Sequence, residues 1–265
     1  MLQPYQAAPD IHVLPTALPV PGLGNLIINA FVVTAEEPVV VDTGIGNDSD
    51  QFIDAVSSIV PLREIRWIWL SHDDADHIGS VVRLMELAPN ARLACHALAA
   101  LRMATWWPVP FDRVFALSEG DRLDVGDRNL RALRPPTFDN PTTTGFLDEL
   151  TGTLFSVDAF GALIPEVVQD IADVAPDDLA RGMIAWGCFD APWTHLADRV
   201  KFGASLDAVR RLRATRIIGA HMPAANCAVD GFADIVATLP DVEPPPAPNQ
   251  EAFQQMLAAM APAPA

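Results

Sequence analysis

The run Ile65-Arg66-Trp67-Ile68-Trp69-Leu70 leads directly into Ser71-His72-Asp73-Asp74-Ala75-Asp76-His77. A short apolar stretch rich in aromatic and branched residues reads as a buried strand. Two imidazoles and three carboxylates follow it between His72 and His77. Carboxylates this crowded repel one another, and a polyvalent cation removes that penalty. The spacing His72-x-Asp74-x-Asp76-His77 points to a two-metal site, which other segments of the chain must complete.

The same pattern, a strand ending in an acid or an imidazole, recurs along the chain. Leu26–Val33 and Val39–Val41 read as strands joined by the turn Glu36-Glu37-Pro38, and the second runs into Asp42-Thr43-Gly44. Gly152–Val157 is a strand ending at Asp158, and Arg216–Ala220 one ending at His221. Further strands are expected at 92–95, 114–117, 122–123 and 130–133. Helices are expected at 52–59, 78–87, 96–104 and 200–212. Residues 165–186 read as largely helical with a break near Ala175-Pro176-Asp177-Asp178, where Asp177 suits an N-cap.

Strand runs followed by helices occur twice. They predict an α+β fold, a four-layer αβ/βα sandwich of two mixed β-sheets flanked by helices. Residues 1–239 form the domain. Residues 240–265, rich in Pro and Ala, read as a tail with one helix near 250–259. Strand ends on one sheet edge meet in space, so Asp42, the 72–77 cluster, Asp158 and His221 are expected to converge.

Half of the 265 residues are apolar, enough for a sizeable core, and the net charge is −17. That charge argues against nucleic acid and against anionic membrane surfaces as partners. Cys95, Cys188 and Cys227 are scattered, without a CxxC, and read as small core residues in a reducing compartment. Met1–Pro21 lacks a basic start followed by an apolar stretch, and no run reaches membrane-span length, so a cytoplasmic location is expected.

Two adjacent cations need several single-atom ligands and one carboxylate between them. Asp158 suits that bridge, although an acid after a strand is also an ordinary helix N-cap. His72 and His77 offer neutral ring nitrogens. Asp74 and Asp76 can be directed to different ions, and Asp42 is expected behind the ligands, holding one of them or a loop amide. Carboxylates dominate and no cysteine is near, which favours iron or manganese over zinc. His12, His96 and His195 lack partners at ligand spacing and read as structural or surface residues. Trp106-Trp107-Pro108-Val109-Pro110 reads as a packed corner or a lid. Arg210-Arg211-Leu212-Arg213 reads as an exposed helix face.

The sequence resembles the metallo-β-lactamase superfamily, and within it the diiron domain of flavodiiron proteins and of stand-alone oxygen-binding diiron proteins. The resemblance lies in Gly24–Ala30, Val41-Asp42-Thr43-Gly44, Ser71–Gly79, Leu154–Gly161 and Gly219-Ala220-His221-Met222-Pro223, across about the first 225 residues. It implies one iron held by His72, Asp74 and a His from the loop before Asp158. The second would be held by Asp76, His77 and His221, with Asp158 bridging. The chain departs from the pattern twice. Asp74 stands in place of a Glu, and the loop Pro135–Pro141 has no His. Counting back from Leu154 puts Asp139, or else Phe138, at that position, and Asp139-Asn140-Pro141 is also ordinary turn chemistry.

The resemblance implies a non-haem protein with two iron ions (manganese or zinc as alternatives) that binds or reduces O2 or NO. No flavin domain is read in the chain, so electrons would come from a separate donor. A homodimer is compatible with this but not required by it. Two other readings stand beside it: a metal-dependent hydrolase of ester, lactone or phosphodiester substrates, and a sensing module with a degraded metal site.

Overall fold

A computed structural model describes residues 1–226 and 229–260. Strands β1 (Tyr5–Ala8), β2 (Ile11–Val20), β3 (Gly24–Val33), β4 (Val39–Val41), β5 (Trp67–Trp69), β6 (Arg92–His96) and β7 (Val114–Leu117) form one sheet in that order. Strands β8 (Arg122–Asp124), β9 (Asn129–Leu133), β10 (Gly145–Asp148), β11 (Thr153–Phe155), β12 (Arg216–Ile218) and β13 (Ala225–Asn226) form the second, in reverse order. Within them β4 to β7 run parallel, as do β11 and β12, and the remaining pairs are antiparallel.

The two-residue period of the strands sorts side chains into layers. Val39 and Val41 of β4, Trp67 and Trp69 of β5, and Ala94 of β6 point between the sheets. There they meet Leu130, Phe146, Phe155 and Ile218 of the second sheet. The stacked rings of Phe146 and Phe155, 4.2 Å apart, lie between Trp69 and Phe31 and lock the two sheets face to face. The intervening residues Val40, Ile68, Leu93 and Cys95 point outward onto helices α1 (Ser49–Ile59), α2 (Val81–Leu87) and α3 (Ala97–Met103). On the far side, Leu147, Leu154 and Ile217 pack under α4 (Pro176–Asp190), α5 (Arg199–Arg211) and α6 (Val229–Val236). This is the predicted four-layer sandwich.

Several local expectations are corrected. Residues 5–8 and 11–20 form two strands that the sequence reading left out, Pro15 and Pro19 of β2 notwithstanding, because β2 lies beside β3 along its whole length. The strand β10 was also missed. Residues 165–175 are not helical apart from a short turn at Ile171–Asp173. Pro176 opens α4, its missing N–H costing nothing there, so Asp177 sits in the first turn rather than at the cap. Helix α7 (Gln250–Met260) follows the Pro-rich stretch. Cys95 and Cys188 are buried and unpaired, and Cys227 lies outside the described residues. His96 caps α3, accepting from Leu98 N. Trp107 packs on the core between the first sheet and α1–α3 while Trp106 is exposed, which makes that segment a corner. No helix among the described residues is long and apolar enough to cross a membrane.

Candidate metal centre

The ends of β4, β5, β11 and β12 lie on one edge of the sandwich, and each delivers part of the site. Asp42 follows β4 with a left-handed φ of 55°, and Val157, just before Asp158, has φ 56°. A β-branched residue in that region is strained by roughly 1–3 kcal/mol. The strain is localised where the chain turns to aim Asp158 into the site. The loop after Asp42 is laced to the cluster: Thr43 N donates to the His77 carbonyl, and Gly79 N to that of Gly44.

The buried Asp158 occupies the centre. Its Oδ1 lies 3.0 Å from His221 Nε2 and 3.2 Å from His77 Nε2, and its Oδ2 lies 3.4 Å from His72 Nε2. Despite this proximity neither oxygen has a hydrogen bond of good geometry. Ligand atoms of His72, Asp74 and Asp139 lie within 4.8 Å of one another on one side, and those of Asp76, His77 and His221 on the other. Two donors on opposite sides of a cation stand about 4.2 Å apart for bonds of about 2.1 Å. Each trio could therefore close on a cation with small side-chain movements. A buried carboxylate without hydrogen bonds, faced by three imidazole nitrogens, has the chemistry of a metal bridge and not of a helix cap.

The groups behind the ligands fix their orientation. Asp42 accepts from Ser71 N and Ser71 Oγ, both at 2.8 Å, and from His77 Nδ1 at 2.9 Å. His221 Nδ1 meets the Ile27 carbonyl at 2.8 Å. A carboxylate and a carbonyl can only accept, so both rings hold a proton on Nδ1 and turn Nε2 to the site. Asn29 clamps the loop that carries His221, donating to the carbonyls of Gly219 and Met222. Asn140 donates to Asp74 Oδ1 at 2.7 Å, and Arg102 holds Asp73 at 2.8 Å. Asp73 thus belongs to the scaffold and faces neither trio.

The protonation pattern follows from charge. Burial opposes a proton on His77, but Asp42 and Asp158 outweigh it and hold its pKa well above the usual imidazole range. Burial and His77 likewise oppose a proton on His72, yet Asp158, Asp74 and Asp42 raise its pKa. Asp158 is held well below the usual carboxylate range, the cost of burial being exceeded by the three imidazoles. The hydrogen bond from His72 lowers Asp74. Burial and the charge of Asp158 push Asp139 up to about 6. Without a cation the cluster balances its carboxylates with protons on imidazoles, and a metal would take their place.

One member escaped the sequence reading. Asp190, the last residue of α4, is only 8% exposed, and its ligand atom lies within 4.8 Å of those of Asp139 and Asp158. Burial, with the charges of Asp158 and Asp139, pushes its carboxyl up to about 9. It follows no strand, so the pattern that found the other acids could not find it. Beside the centre, a cleft of about 880 Å³ runs along α5, lined by Phe138, Trp193, Leu196, Arg134 and Lys201. None of the seven ligand candidates lines it. The centre itself opens to solvent through Asp139 and the partly exposed Asp74 and Asp76.

Comparison with known proteins places the fold and the family. The rubredoxin oxygen:oxidoreductase of Desulfovibrio gigas superposes with a TM-score of 0.76 over 90% of this chain and 61% of its own, at 16% identity. The flavodiiron protein of Giardia intestinalis superposes with 0.74 over 90% and 59%, also at 16% identity. These likenesses establish the fold. The anaerobic nitric oxide reductase flavorubredoxin of Vibrio vulnificus is 30% identical over 136 residues, which is 50% of this chain and 27% of that protein. The chain spans about a quarter of the length of the curated relatives it matches. The family model described as ODP family beta lactamase matches residues 26–219, well over half of the sequence, and the chain belongs to that family.

Proposed function

We propose that the chain holds two metal ions, iron in the first instance, and that O2 or NO is bound and reduced there with electrons from a separate donor. The observation that carries this reading is Asp158: both of its oxygens are buried, lack hydrogen bonds and face His72, His77 and His221. His72, Asp74 and Asp139 would hold one ion, Asp76, His77 and His221 the other, and Asp158 both. The relatives named as flavodiiron protein, oxygen oxidoreductase and nitric oxide reductase support iron and a diatomic substrate. When bound, the pair of ions supplies open coordination positions and exchangeable electrons for a small molecule.

The protein's own residues prepare that chemistry. Asp42 and the Ile27 carbonyl hold the Nδ1 protons of His77 and His221, so Nε2 is the nitrogen each ring would offer to a metal. Asn140 and Arg102 hold the loop that presents Asp74. Four carboxylates against three imidazoles favour iron or manganese over zinc.

The test is to purify the protein without added metal, measure Fe, Mn and Zn per chain, reduce it, and follow absorbance and gas consumption on exposure to O2 or NO. Iron near two per chain and a spectrum that changes on exposure are expected. Stoichiometric zinc with no iron-dependent spectrum would overturn the reading.

A further inference from the structure

Helix α4 contributes to the centre through its final turn. Trp186 Nε1 donates to the backbone carbonyl of Asp158 at 2.9 Å, and its ring packs at a tilt against that of His221, centroids 4.4 Å apart. That contact pins the helix against the bridging residue. Four positions on, Asp190 is buried on the side of the centre occupied by Asp139.

Three features make this an unfavourable place for a carboxyl group without a ligand. Asp190 Oδ2 is buried and has no hydrogen-bond partner. Two further carboxylates, Asp139 and Asp158, offer oxygens within 4.8 Å of its own. It also ends a helix, where the backbone dipole disfavours negative charge. A cation between the three acids removes all three penalties together. The loop ahead of β10 supplies the acid Asp139 rather than an imidazole, so His72 is the one nitrogen donor on that side.

Building on the proposed metal centre, we infer that Asp190 is a further ligand of the metal position formed by His72, Asp74 and Asp139. That position then offers one imidazole and four carboxylates, counting Asp158, whereas the other offers two imidazoles and two carboxylates. The oxygen-rich position suits a hard cation such as Mn²⁺, and the nitrogen-rich one suits Fe²⁺ or Zn²⁺.

The experiment is Mn²⁺ binding to the whole chain after chelator stripping, with free Mn²⁺ read from its electron paramagnetic resonance signal and bound metal from elemental analysis. Wild type is compared with Asp190→Asn, which keeps the shape, and with His221→Asn, which strips a ligand from the other position. Two sites are expected in wild type. One of them should weaken about tenfold or more in Asp190→Asn, while the site lost in His221→Asn stays intact. If Asp190→Asn binds both ions with wild-type affinity, Asp190 is no ligand, though the metal centre stands. If wild type binds no Mn²⁺, Fe²⁺ or Zn²⁺, the centre and this inference fall together, and the wild-type arm alone reveals it. Should Asn at 190 prevent folding, Asp190→Ser is read in the same way.

Discussion

Replacing Asp42 by Asn changes one buried atom and should alter the tautomer of a ring in the metal centre. The Asp42 carboxylate accepts three hydrogen bonds, from Ser71 N, Ser71 Oγ and His77 Nδ1. In Asp42→Asn the amide oxygen keeps the bond from Ser71 N. The amide NH2 then faces Ser71 Oγ, which can rotate to accept, and His77 Nδ1. The ring can accept there only by moving its proton to Nε2, the atom that lies 3.2 Å from Asp158 Oδ1. A protonated Nε2 cannot ligate, so the position formed by Asp76, His77 and His221 should bind metal 10- to 100-fold more weakly, about 1.4–2.8 kcal/mol. Loss of the charge-assisted bonds should cost the metal-free fold a further ~1–2 kcal/mol. Competition against a coloured chelator gives the affinity, and ¹⁵N NMR of the histidine rings reports the tautomer. Wild-type affinity at both positions, with His77 still protonated on Nδ1, would refute the reasoning.

Three other outcomes are expected. In chelator, Asp190→Asn should gain stability over wild type as pH rises. A carboxyl held at about 9 when folded binds more protons than its unfolded counterpart between about pH 4 and 9, so its ionisation opposes folding progressively across that window. Urea titrations at pH 5, 7 and 9 measure the gap, and a gap that does not widen would count against it. Gly79→Ala should destabilise the protein by about 1–3 kcal/mol or more, since a Cβ there would overlap the backbone of Ile45 and Gly46 beneath the Asp42 loop; a melting curve checks this. Arg128→Met should cost about 3–5 kcal/mol in urea unfolding, because it leaves the fully buried Asp148 without the guanidinium it shares with Asp10.

The legible parts of this protein were those encoded by neighbours in sequence. Alternating and continuous apolar runs marked β3, β4, β5, β6, β9, β11 and β12, because a strand buried on both faces shows its burial in composition alone. The acids and imidazoles that follow those strands were legible for the same reason, and the sheet edge gathers Asp42, His72, Asp74, Asp76, His77, Asp158 and His221 as strand order predicts. Asp139 could be placed only by counting along a loop, where turn chemistry and ligation use the same residue. β2 escaped notice since two prolines interrupt the pattern, and pairing along the length of β3 overrides that local signal.

Other features depend on distance in space, which a sequence does not carry. Asp190 closes a helix with nothing local to mark it, and becomes part of the centre because α4 crosses the second sheet and Trp186 anchors it at Asp158. Which acids face the cavity and which brace the scaffold was likewise a tertiary matter. Asp73 and Asp74 are adjacent, yet Arg102 takes the first and leaves the second beside His72, because successive side chains leave a backbone in different directions and the folded surroundings choose among them.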